Sequence, residues 1–156
     1  MIEITASYDI DAPAETVWSV LTDLDQFETW NPFIRRAAGS TEVGGHVRVR
    51  VRPSLGVPLV FHATVYERED HRALRWRGHV GAPWLACGDH TFTIEPLGDG
   101  RSRLVQRETF TGLVPWLAGR LLAREARRGF DAMNRALAAR AKAAPPVSSP
   151  AGKVAS

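Results

Sequence analysis

The chain has 156 residues, 44% apolar and 24% charged, which is the size of one ordinary domain and too apolar for a disordered chain. No apolar run approaches the roughly 20 residues of a membrane span; the start, MIEITASYDID, shows no secretory leader; and the single cysteine, Cys87, excludes an internal disulfide. The net charge of +3 is unevenly placed: residues 1–112 carry 12 Arg and no Lys against 15 acids, while residues 113–143 carry six Arg and Lys142 against only Glu125 and Asp131.

Residues 2–10 alternate Ile2, Ile4, Ala6, Tyr8 and Ile10 with polar residues, the period of a half-buried strand. Asp11-Ala-Pro-Ala-Glu15 then reads as a helix start, with Asp11 or Ala12 as the cap and Pro13 in the first turn. Val17, Trp18, Val20 and Leu21 form the apolar face of that helix. A second short helix is expected after Thr22 or Asp23, ending before Pro32 because the residue preceding a proline avoids helical geometry.

From residue 34 to 112 the pattern is strand and turn. His46–Arg52 sets Val47, Val49 and Val51 against Arg48, Arg50 and Arg52. Leu59, Phe61, Ala63 and Val65 share one face of the next strand, and Leu74, Trp76, Gly78 and Val80 share one face of the strand after it. After the loop Gly81-Ala-Pro-Trp84 come His90, Phe92 and Ile94, then a hairpin tip at Gly98-Asp99-Gly100, then Leu104, Gln106, Glu108 and Phe110. Consecutive strands with short turns imply an antiparallel sheet with one wet face. The arginines on that face read as solvated residues that discourage edge-to-edge pairing.

Residues 113–143 read as one long helix with Pro115 in its first turn. Gly119, Leu122, Ala126, Phe130, Met133 and Leu137 share one side, and Arg120, Arg124, Arg127, Arg128, Arg135 and Lys142 the other. The Pro/Ser/Ala-rich residues 144–156 are expected to be a disordered tail behind a single domain of residues 1–143. The fold class is therefore α+β, a curved antiparallel sheet wrapped around one amphipathic helix with space between them.

Six pieces in this order resemble a known family: Ile10-Asp-Ala-Pro-Ala-Glu-Thr-Val-Trp18, Asp23 through Trp30-Asn-Pro-Phe33, Leu74-Arg-Trp-Arg-Gly78, His90-Thr-Phe92, Gln106-Arg-Glu-Thr-Phe-Thr-Gly112, and Gly129-Phe with Asn134-Arg-Ala-Leu137. The chain is similar over residues 2–142 to the START-like (SRPBCC) superfamily, in its polyketide cyclase/dehydrase and lipid-transport branch. The resemblance implies a helix-grip fold: seven strands, two short helices and a long C-terminal helix enclosing a cavity. It does not single out a reaction, because one fold serves many tasks.

Strand phase then nominates the cavity wall. Hairpin lengths allow Val49 opposite Phe61, Trp76 opposite His90, Phe92 opposite Gln106 and His90 opposite Glu108. With Leu122, Ala126, Phe130 and Met133 from the helix, and Trp30 and Phe33 at the mouth, these are the candidate ligand-binding residues. Trp84 and Trp116 are also placed at the mouth, and Gly81–Trp84 is read as a lid. His90 and Glu108 are the candidate catalytic pair, since a buried Glu beside a His shifts both protonation equilibria. Alternatively the two satisfy each other as a structural or ligand-orienting pair.

The principal reading is binding or carriage of a small hydrophobic ligand, such as a lipid, isoprenoid or polyketide, in a cytoplasmic setting. One alternative is a cyclase/dehydratase-type enzyme using Glu108 and His90 in proton transfer. A second is an interaction module in which the basic helix face meets an anionic membrane or an acidic protein. The five histidines lack ligand spacing, so no metal is expected, and no phosphate-binding Gly-rich loop or other cofactor motif is present. Nucleic acid is not expected, because the strand arginines lack interleaved exposed aromatics.

Overall fold

A computed structural model describes residues 1–54 and 56–145, so most of the expected tail lies outside the described residues. Strand β1 (Ile2–Ile10) leads into helix α1 (Ala14–Thr22), a 3-10 turn (Leu24–Gln26) and the one-turn helix α2 (Phe27–Trp30). Six strands follow: β2 (Ile34–Gly39), β3 (His46–Val51), β4 (Leu59–Glu69), β5 (Ala73–His79), β6 (Cys87–Gly98) and β7 (Arg101–Thr111). Helix α3 (Leu113–Ala143) ends the fold. All pairings are antiparallel in the order β1-β7-β6-β5-β4-β3-β2, so the first strand closes onto the last.

Two local features differ from expectation. The cap of α1 is Pro13 itself, in extended geometry and with no side-chain cap; its carbonyl accepts from Thr16 and Val17, while Asp11 pairs with Arg101. Helix α3 is not straight: Ala118 leaves helical geometry at φ −120°, ψ 25°, between Pro115 and Gly119, residues that weaken helix propagation.

The β6–β7 register places Ile94 opposite Leu104, Phe92 opposite Gln106 and His90 opposite Glu108. The alternation therefore turns Phe92, Ile94 and Leu104 onto the concave face, where they meet Met133 and Leu137 of α3. Each of these five is essentially fully buried, and each such side chain contributes about 1.5–3 kcal/mol by leaving water. After α2, Asn31 turns the chain: its buried side-chain Oδ1 accepts from the amides of Phe33 and Ile34. That turn lays the Phe33 ring on α3 at Gly129, where a Cβ would come within 2.3 Å of the ring. Gly119 makes the same kind of room for Ile2, so both helix glycines serve close packing.

Candidate functional site

The other half of the concave face is hollow. One row across the sheet runs Val47, Ala63, Gly78, Gly88, Phe110. Two glycines facing each other across β5 and β6, beside an alanine, leave a floor with almost no side chain. Above it lies a cavity of about 80 Å³ whose apolar walls include Val49, Phe61 and Trp76 from the sheet and Leu122, Ala126 and Phe130 from α3. Phe33 closes one side.

His90 and Glu108 are the titratable groups on the sheet side. The imidazole is stacked on Phe92 (4.1 Å between ring centres) and tilted against Phe130 (4.9 Å). Burial in this aromatic box pushes His90 down to about 3. Burial, reinforced by the charge of Asp89, pushes Glu108 up to about 8. The 3.6 Å approach of His90 Nδ1 to Glu108 Oε2 is therefore a contact between two neutral groups at neutral pH, not an ion pair.

A polar chain behind the cavity sets the orientation. Gln106 Nε2 donates to Asn134 Oδ1 at 2.6 Å, which turns Gln106 Oε1 toward His90 Nε2 at 3.1 Å. His90 must then donate from Nε2, so Nδ1 presents its lone pair to Glu108. The carboxyl of Glu108, in a residue only 9% exposed, has no hydrogen-bond partner among the described residues. Gly88 makes its room, because a Cβ there would sit 2.5 Å from Glu108 Oε1.

On the helix side, Glu125 also lines the cavity. Its Oε2 accepts the amide N–H of Ser54 at 2.9 Å, fastening the β3–β4 connection to α3 across 71 residues of sequence. This residue was not anticipated. The available signal was an acid set among arginines, one helical turn from Leu122 on the border of the inward face. Asn134 likewise follows Phe130 by one turn, and its inward position was readable from helical period alone.

Several expected members lie elsewhere. Phe92 and Met133 fill the core rather than line the hollow, and Gln106 sits a layer behind it. Trp30 packs on Phe27 and borders a separate surface cleft with Arg140, because the single turn of α2 points it away from the sheet mouth. Trp84 and Trp116 are 69% and 77% exposed and do not line the cavity. The Gly81–Trp84 loop is fastened, with Leu113 and Val114 donating to the carbonyls of Trp84 and Leu85. The start of α3 is apolar on its exposed side, at Leu113, Val114, Trp116 and Leu117.

Among the described residues no cluster of ligating side chains has the arrangement of a metal site, and no helix is long and apolar enough to cross a membrane.

Residues 1–142 match the family model described as polyketide cyclase / dehydrase and lipid transport. No curated protein sequence matches the chain. Among solved structures it resembles the Zhui aromatase/cyclase from Streptomyces sp. R1128, with 20% identity, TM-score 0.76, and coverage of 90% of this chain and 93% of that one. It resembles equally a START superfamily protein from Mycobacterium smegmatis, with 21% identity, TM-score 0.74, and coverage of 90% and 97%. A third is a protein from Thermus thermophilus, with 17% identity, TM-score 0.76, and coverage of 91% and 98%. At such identities the structures speak to the helix-grip fold, and the family match extends over nearly all of the sequence. The chain belongs to the polyketide cyclase / dehydrase and lipid transport family.

Proposed function

We propose that the protein binds a small hydrophobic ligand of lipid, isoprenoid or polyketide type, with one hydroxyl or carbonyl on Glu108. The observation that carries this reading is a neutral, buried carboxyl without a protein partner, facing an apolar hollow. A protonated carboxyl both donates and accepts, so it recognises either ligand group. The cavity is smaller than the roughly 300–1,000 Å³ of drug-sized sites. It takes the polar-tipped end of a ligand.

Phenol and toluene, near-isosteric and small enough for the cavity, test the reading by calorimetric titration. Phenol is expected to bind up to about tenfold more tightly, the worth of one hydrogen bond, and Glu108→Leu is expected to erase that preference. Equal binding of the two by the native protein refutes the role given to Glu108. Native mass spectrometry of the purified protein then identifies any co-purifying lipophilic compound.

A second reading, cyclase/dehydratase-type catalysis, draws support from the same carboxyl. A group held near 8 is protonated yet able to transfer its proton near neutral pH. In that chemistry Glu108 is the proton donor; His90, held near 3, is too weak a base to take a proton from carbon and stays a neutral neighbour 3.6 Å from the carboxyl. Glu108→Gln separates the two readings, since the amide keeps a donor and an acceptor but transfers no proton. Retained binding with abolished turnover favours the enzyme.

A further inference from the structure

The outer face of the sheet divides into two halves. Every arginine from Arg68 to Arg107 is ion-paired: Arg68 with Glu42 and Asp70, Arg72 with Glu69, Arg75 and Arg77 with Asp89, and Arg101, Arg103 and Arg107 with Asp11, Asp9 and Glu3. The five arginines on and beside β2 and β3, namely Arg35, Arg36, Arg48, Arg50 and Arg52, have no ion-pair partner among the described residues.

Their placement is costly. Arg36 stands directly opposite Arg50 in the β2–β3 register, and like charges in that position repel. A bulge between Ile34 and Arg36 adds Arg35 to the strand, so two consecutive arginines are exposed beside Arg50 and Arg52. Edge protection accounts for charge on the edge strand β2. It does not account for Arg48 and Arg50 of β3, a strand already paired on both sides. Four of the five line a surface cleft of about 480 Å³ whose only acid among the described residues is Glu28.

We propose that this cleft binds a phosphate-rich anion of the diphosphate class. Four guanidinium groups against one carboxylate leave about three positive charges to be met, more than a single carboxylate supplies. Guanidinium groups also match phosphoryl oxygens two at a time. The anion relieves the Arg36–Arg50 repulsion on arrival. The site is independent of the cavity, although the β3–β4 connection and the strand ends it joins contribute to both walls: Val51, Pro53 and Leu59 line the cavity, while Arg52, Gly56 and Pro58 line the cleft.

Calorimetric titration with inorganic pyrophosphate at low ionic strength tests the soluble source of such a group. Sedimentation with phosphatidylcholine vesicles containing diacylglycerol pyrophosphate tests the lipid source. The native protein is expected to bind at least one of the two probes, and Arg36→Ser/Arg50→Ser to lose about tenfold or more in affinity. Arg103→Ser/Arg107→Ser, at ion-paired positions of the same face, is expected to bind as the native protein does. Differential scanning calorimetry supplies a second readout: the Arg36→Ser/Arg50→Ser protein melts no lower than native without anion, and its pyrophosphate-induced rise in Tm disappears. No binding of either probe, binding unchanged in Arg36→Ser/Arg50→Ser, or an equal loss in Arg103→Ser/Arg107→Ser overturns the proposal.

Discussion

The space between sheet and helix is built in two ways within one fold. At one end Phe92, Ile94 and Leu104 rise from β6 and β7 to meet Met133 and Leu137, and nothing is left over. At the other end β6 carries Gly88 beside Gly78 of β5 and Ala63 of β4, and α3 answers with Ala126, so the walls do not meet. His90 and Glu108 lie on the boundary between the two. The difference teaches that the hollow is made by side chains the sheet omits, while the filled end holds the helix at the distance that keeps it open.

The largest effect is expected from breaking the filled end. Phe92→Ala removes a fully buried ring that also stacks on His90. Its cost is about 3–5 kcal/mol, the range for an aromatic deleted from a packed core. Phe61→Ala, on a wall that already borders empty space and keeps partial exposure, is expected to cost less than half of that. Urea unfolding of both variants measures the contrast; equal losses refute the division into a filled and a hollow end.

The next effect is a pH dependence peculiar to the boundary. Glu108 is raised from its ordinary 4.5 to about 8, so the folded state holds the extra proton. Its contribution is complete below pH 4.5 and is lost as pH rises toward 8. His90 is lowered from its ordinary 6.5 to about 3, so its contribution is complete above pH 6.5 and is lost as pH falls toward 3. Between about 4.5 and 6.5 the two opposing slopes cancel, and stability is expected to be flat there and to decline on both sides. Glu108→Gln is expected to abolish the alkaline decline, on the order of 2 kcal/mol, and to leave the acid one. An unaltered alkaline limb in urea unfolding of that variant removes Glu108 as its source.

Much of the frame was legible in the sequence, because it is written in short-range periods. Alternation of two identified the strand faces, and the Gly98-Asp99-Gly100 tip limited the register enough to bring His90 opposite Glu108. What makes the hollow was not legible. Gly78 and Gly88 act only as a cross-strand pair, so neither glycine signals anything until the β5–β6 register is known. Glu125 required a partner 71 residues away, and Trp30 required the rotation of a one-turn helix that the Asn31 turn follows. The tryptophans expected at the mouth failed for a related reason. Aromaticity says that a residue prefers partial burial, but Trp84 and the start of α3 that carries Trp116 are held by backbone bonds between the loop and α3 that composition does not reveal.

The smallest effect probes the floor itself. The two glycines face each other, yet they should differ when given a methyl group. At Gly78 the new Cβ meets the Ala63 Cβ and the His62 carbonyl oxygen, each at 2.9 Å, and the strand backbone cannot move aside. At Gly88 it meets the Glu108 Oε1 at 2.5 Å, the mobile end of a side chain, with the Phe110 ring at an ordinary 3.5 Å. Gly78→Ala is therefore expected to destabilise by about 1–3 kcal/mol, as overpacking does. Gly88→Ala is expected to cost about 1 kcal/mol or less in stability while displacing the Glu108 carboxyl and narrowing the hollow. Its readout is binding: phenol affinity falls toward that of toluene although the protein remains folded. If Gly88→Ala keeps the native preference for phenol, the carboxyl is not the group that the hollow presents to a ligand.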